Sequence, residues 1–184
     1  MPNLKKIYEE TIVPQLMKDL GIANTMAVPR LQKVVVNVGI GQNKVNPKFA
    51  EMVKANIEAI TGQRPVIRKS RKAISGFKLR AGDEVGLMVT LRGEKMYDFL
   101  QKIAHVTLPR LRDFRGLNPK SFDQAGNFTL GFKEQLIFPE ITTEKSESTH
   151  GLEVSMIINS KSALKSQKLL ESFGFPFMKE QQNG

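Results

Sequence analysis

Leu4, Ile7, Tyr8, Ile12, Leu16 and Leu20 recur every three or four residues and predict a helix over 4–20. Pro14 lies inside that pattern and should kink or split the helix, because it lacks the amide proton that an intact turn uses. The period then drops to two. Over 31–38, Val34, Val36 and Val38 fall on one side of a strand, with Lys33, Val35 and Asn37 on the other. Asn46 suits the cap of a second helix and Pro47 its first position. Phe49, Val53, Ile57 and Ile60 form its apolar face, and Gly62 stops it. A short strand is expected around Pro65–Arg68 and another at 85–92, where Leu87, Val89 and Leu91 oppose Met88, Thr90 and Arg92. Met96, Phe99, Leu100 and Ile103 mark a third helix. Phe128, Leu130 and Phe132 alternate in a fourth strand, and Leu152, Val154, Met156 and Ile158 in a fifth. A last helix near 161–173 ends at Gly174.

Strands that alternate apolar with polar residues suit a mostly antiparallel sheet of about five strands. Helices would pack on one face, leaving the other face open, which is an α+β architecture. No Pro-, Gly- or Ser-rich linker divides the chain, so a single domain over 1–184 is expected, with a short flexible tail from about 179. The open face would carry Lys33 and Asn37 on the first strand, and Thr90 and Arg92 on the third. These are donors and a hydroxyl with no carboxylate among them, a set that suits an anionic ligand. An ordinary wet sheet face is the competing reading.

Composition adds charge to this picture. The 184 residues hold 28 Lys and Arg against 18 Asp and Glu, for a formal net charge of +10 and a pI near 9.9. Such a surplus favours a polyanionic partner, although it also serves plain solubility. It is densest in Arg64–Gly82, with Arg64, Arg68, Lys69, Arg71, Lys72, Lys78 and Arg80 and no acid between Glu58 and Asp83. These side chains suit phosphates, and Ser70 and Ser75 add short donors. Phe77 lies among them, and an exposed aromatic stacks on a base as no charge does. Gly76 and Gly82 would allow close approach of backbone to a ligand. Alternatively the loop is simply solvated and Phe77 returns to the core.

Catalytic readings find little support. The chain has no cysteine, which excludes thiol chemistry and cysteine-based metal sites. Gly39-Ile40-Gly41 follows a strand, but Lys44 stands where a dinucleotide fingerprint needs its third glycine, so a tight strand exit is the simpler reading. His105 and His150 are far apart without ligand-type neighbours, and Asp83-Glu84 suit charge balance at a turn. No catalytic residue, metal or cofactor is expected. With neither a signal-like apolar stretch nor a membrane-length segment, a soluble intracellular protein is expected. Pro109–Gly116 is rich in Arg and suits either a partner-binding loop or a helix terminus. Glu134–Ile141 suits packing.

Taken in order, several segments resemble the bacterial form of the large-subunit ribosomal protein five family. They are Glu10–Leu16, Lys33–Gly41, Thr61–Pro65, Arg71–Arg80, Val89–Gly93, Leu108–Gly116, Gly131–Gln135 with Ile137–Ile141, and Phe173–Phe177, which together run through essentially the whole chain. The resemblance implies an α+β fold and a non-catalytic cytoplasmic role in the ribosome. It implies binding of 5S ribosomal RNA and its attachment to 23S ribosomal RNA in the central protuberance. The family's 5S-binding positions fall on Lys33, Asn37, Gln63, Phe77, Thr90 and Arg92, all matching in type. It also implies that Ala73–Arg80, including Ser75, Gly76, Phe77, Lys78 and Arg80, reaches the peptidyl-site transfer RNA. Arg110, Arg112, Asp113 and Arg115 would face small-subunit ribosomal protein thirteen across an intersubunit bridge. Neither a membrane nor a second copy of the chain is an expected partner.

Overall fold

A computed structural model describes residues 4–41, 47–112, 114–142 and 148–178. The expected cap Asn46, the residues Gln42–Lys44, Asp113 and the tail from 179 lie outside the described residues. Five strands form an open antiparallel sheet in the order β2-β3-β1-β5-β4. They are β1 (Leu31–Gly39), β2 (Val66–Lys69), β3 (Glu84–Leu91), β4 (Phe128–Phe132) and β5 (Leu152–Ile158). The helices are α1 (Leu4–Ile7), α2 (Val13–Leu20), α3 (Pro47–Thr61), α4 (Gly93–Lys102) and α5 (Ala163–Ser172). The α+β expectation is met, and each strand lies within a residue or two of its predicted bounds.

Proline shapes the helices in an unexpected way. Between α1 and α2, Tyr8–Ile12 widens into a π turn, closed by the Val13 amide donating to the Tyr8 carbonyl. A second π turn, Ile103–Thr107, follows α4 and is closed by the Leu108 amide donating to the Ile103 carbonyl. Each closing amide immediately precedes a proline, Pro14 or Pro109. A residue without an N–H cannot continue the regular ladder, and the wider turn accommodates the missing donor without ending the helical path.

The contacts gather in two compact units, and β1, β4 and β5 give residues to both. The first unit takes the chain up to Val34, Arg92–Thr129, and the chain from Ser155. Its interior holds Leu16, Leu100, Ile103, Leu108, Leu169 and Leu170, all fully buried. Beside them Tyr8, Tyr97 and Phe173 stand with ring centroids 5.8–6.1 Å apart, and the Tyr8 hydroxyl donates to the Pro29 carbonyl at 3.0 Å. Phe122, Phe128 and Phe177 make a second aromatic group. Gly126 has a φ of +83°, and a Cβ there would lie 2.6 Å from the Ser160 Oγ and 2.8 Å from the Ser166 Oγ. Only glycine fits this left-handed turn against the hydroxyl pair.

The second unit takes Val35–Leu91 and Leu130–Val154. Here α3 packs on β3 and buries Val53, Ile57 and Ile60, the face its spacing predicts. Phe138 is fully buried 5.5 Å from Phe132, so the 134–141 segment does pack. Gln135 is wholly enclosed as well. Its Oε1 accepts the His150 amide at 2.8 Å and its Nε2 donates to the Ser148 carbonyl at 3.0 Å, which satisfies an otherwise costly polar side chain.

Candidate nucleic-acid interface

Residues directly opposite in a ladder share a face, so the pairing of β2 with β3 places the candidate side chains. Val66 pairs with Met88, Ile67 with Leu87 and Arg68 with Gly86; a register shift between Arg68 and Lys69 then sets Lys69 against Glu84. Leu87, Val89 and Leu91 are buried, so Gly86, Met88 and Thr90 lie on the other side with Val66 and Arg68. Gly86 leaves this face without a side chain at a close approach of two strands. A Cβ there would lie 3.0 Å from the Val38 carbonyl oxygen and 3.8 Å from the Asn37 Oδ1. The missing side chain lets β3 sit close against β1, with Arg68 on one flank of Gly86 and Asn37 on the other.

Asn37 is exposed, while Lys33 is half-buried two alternations back along the same side of β1. Thr90 is half-buried on β3, and the Gln63 side-chain amide donates to its backbone carbonyl at 3.2 Å. Thr61 supports that link: its hydroxyl donates to the Ile57 carbonyl at 2.7 Å and accepts from the Gln63 amide at 3.3 Å. Arg92, expected to end the strand, instead occupies the extended residue that leads into α4, where it is exposed. Arg64 is exposed at the turn into β2.

The basic loop beyond β2 is a pinned hairpin. At its base the Ser70 amide donates to the Asp83 carbonyl at 2.8 Å and the Ser70 carbonyl accepts from Gly82 at 2.9 Å, while Asp83 Oδ2 accepts the Arg80 amide at 2.8 Å. At its tip Ile74 and Leu79 exchange two backbone hydrogen bonds, 2.9 and 3.0 Å long. Between them Ser75–Phe77 forms one short turn, and Lys78 closes it with a φ of +50°. Phe77 does not return to the core: 74% of its surface is exposed at the tip. Arg71, Lys72, Lys78 and Arg80 are all exposed in the same hairpin. Charge, hydroxyl and ring are thus displayed on a backbone whose shape is already set.

Two features escaped the sequence. Gly86 gave no signal beyond being a glycine inside an alternating strand. His150 is only 6% exposed. Burial pushes its pKa below the ordinary value near 6.5. Arg110, Arg112 and Arg115 are exposed on the segment after the second π turn. Among the described residues, no three His, Cys, Asp or Glu side chains gather as a metal ion would require, and no helix is long and apolar enough to cross a membrane.

Residues 24–80 match the family described as ribosomal protein L5, and residues 84–177 match the family described as the C-terminus of the same ribosomal protein. The chain is 46% identical over 177 residues to the large ribosomal subunit protein uL5 of Carboxydothermus hydrogenoformans, a match covering 96% of this chain and 99% of that protein. The chain belongs to the ribosomal protein L5 family. A uL5 from Synechococcus sp. is 51% identical over 178 residues, again covering 96% of this chain and 99% of its own. Another, from Halothermothrix orenii, is 48% identical over 177 residues, with 96% of this chain and 99% of its own covered. L5 proteins are structural components and not enzymes.

Proposed function

We propose that this L5-family protein binds 5S ribosomal RNA and helps attach it to 23S ribosomal RNA in the central protuberance. It is a structural constituent of the large ribosomal subunit. The observation that carries the RNA reading is the face shared by Asn37, Arg68 and Thr90, where a carboxamide and a guanidinium flank the close approach at Gly86 and a hydroxyl follows further along β3. Structured RNA is recognised through shape, phosphate and 2′-hydroxyl contacts, and such donors suit all three. Lys33, Gln63, Phe77 and Arg92 complete the proposed 5S set, with Arg64, Arg71 and Lys72 holding phosphates.

The hairpin tip, Ser75, Gly76, Phe77, Lys78 and Arg80, is proposed to reach the peptidyl-site transfer RNA. Arg110, Arg112 and Arg115, with Asp113 between them in sequence, are proposed to meet small-subunit ribosomal protein thirteen. The protein would act as a cytoplasmic monomer within the ribosome. It would also fold as a single domain, because three strands give residues to both compact units.

Titration against purified 5S ribosomal RNA at several salt concentrations tests the central reading. Specific binding survives an excess of unrelated RNA, whereas a general polyanion binder is competed away. Loss of all binding under that competition would overturn the proposal.

A further inference from the structure

Behind the hairpin tip, wholly within the second compact unit, lies an open cleft of about 710 Å³. Its apolar walls are Ile40, Phe49, Phe77 and Leu79, and its polar rim is formed by Thr149 and His150. Clefts of roughly 300–1,000 Å³ with mostly apolar walls and a few polar groups take small organic ligands. This one is also firm. Leu79 is tied by its paired hydrogen bonds to Ile74, and Phe49 is 7% exposed on α3. His150 is fixed through its backbone by Gln135 and through its ring by Asn56. Phe77 forms the outer lip and is largely exposed even though it lines the cleft.

The charge around the cleft narrows the ligand. Lys78 and Arg80 flank Leu79 in sequence, and Arg71 and Lys72 stand on the other limb of the hairpin. The cleft itself presents a flat ring, apolar side chains and the glycines Gly39, Gly41 and Gly151. A ligand suited to both parts has a flat, uncharged moiety joined to phosphate. We infer that the cleft receives one extrahelical nucleotide of structured RNA, its base against Phe77 and its flanking phosphates on the hairpin cations. This rests on the RNA-binding reading above and adds to it a place for a single base. Either the 5S RNA or a transfer RNA can supply such a nucleotide, and the experiment separates them.

Gly39 offers a clean test. Among the described residues, a Cβ built there meets no atom within 4 Å, so a longer side chain there does not clash with their packing. The full-length protein and its Gly39→Leu variant would be titrated separately with purified 5S RNA and with transfer RNA, and their melting temperatures compared. Thr149→Trp, which narrows the cleft from an exposed position on the opposite rim, serves as a second variant should the first fold poorly. The expected result is about tenfold weaker binding by either variant to one of the two RNAs, with melting little changed. Ultraviolet cross-linking should attach a nucleotide to Phe77 or to 149–151 in the wild type and not in the variants. Variants that bind both RNAs as tightly as wild type would overturn the cleft assignment while leaving the RNA reading intact. A wild-type protein that binds neither RNA would overturn both.

Discussion

The Asn56 side-chain nitrogen lies 3.2 Å from Nε2 of His150, a contact between residues 94 positions apart. An amide nitrogen only donates, so Nε2 accepts, and the ring proton sits on Nδ1 facing the Gly151 carbonyl at 3.4 Å. The neutral imidazole is therefore the form the fold holds. Desolvation is the main cause of its lowered pKa, with the Gly151 contact acting weakly the other way. In the unfolded chain the ring takes up a proton near pH 6.5, while the folded protein resists until lower pH. The unfolded state thus binds more protons across that window. Stability should be full above about pH 7 and decline as pH falls through about 6.5 toward the lower folded value. Urea midpoints across mildly acidic to neutral pH should show this slope, and a His150→Gln variant should flatten it.

The two tyrosines allow a second titration. The chain has no tryptophan and only Tyr8 and Tyr97, so near-ultraviolet absorbance of phenolate reports those two hydroxyls. Burial raises both above the usual 10.0, Tyr97 to about 12. Their neutral forms stabilise the fold below about pH 10; the contribution of each is lost as pH rises through its raised value, which for Tyr97 is about 12. Midway through that window Tyr97 should still be neutral in the native protein, so the native phenolate signal should fall short of that of two free tyrosines. In denaturant most of the signal should appear at the same pH, and equal signals in the two states would contradict the burial of the pair.

Gly126 should tolerate no side chain. Gly126→Ala would place a methyl group against the Ser160–Ser166 pair in a left-handed backbone, a cost of roughly 1–3 kcal/mol. Chemical denaturation should show a lowered midpoint with an unchanged slope.

Asn37 and Phe77 should matter more to RNA than to folding. Both are exposed, so Asn37→Ala and Phe77→Ala should leave stability within about 0.5 kcal/mol. Phe77→Ala should weaken specific RNA binding by ~1–3 kcal/mol. Lys72→Ala should cost less and lower the salt dependence by about one phosphate contact. A larger loss from Lys72→Ala than from either of the others would move recognition from the sheet face and tip to simple charge.

Local periodicity made much of this fold legible. Val34, Val36 and Val38 announced β1 and its buried side, and the Phe49–Ile60 spacing announced α3, because both patterns are written in adjacent residues. Pro14 signalled a break in the first helix, though the response, a π turn closed one residue earlier, depends on how the surrounding packing absorbs a lost donor. The candidate interface was legible in part. Alternation put Lys33, Asn37 and Thr90 on one side of their strands, and Arg68 stood at the end of the short strand expected at 65–68, within the basic stretch. Its place beside Gly86 depends on the register of β2 against β3, which no short window encodes. The Asn56–His150 contact and the cleft arise from chain segments far apart in sequence, so periodicity carries no trace of them.

Strand β2 ends the sheet, and all four of its residues are exposed, with Val66 at 59% and Ile67 at 41%. A bare, β-branched margin of this kind is a template on which another chain could stack and start an aggregate. Arg68 and Lys69 complete the strand, so a second copy approaching in register would bring like charges together. The same cations that suit RNA therefore also act as gatekeepers while the protein is free. Their protection depends on low ionic strength and on the absence of indiscriminate polyanions, which would neutralise the margin without covering it. Purification in high salt or with heparin should thus carry a clumping hazard that the RNA-bound protein escapes.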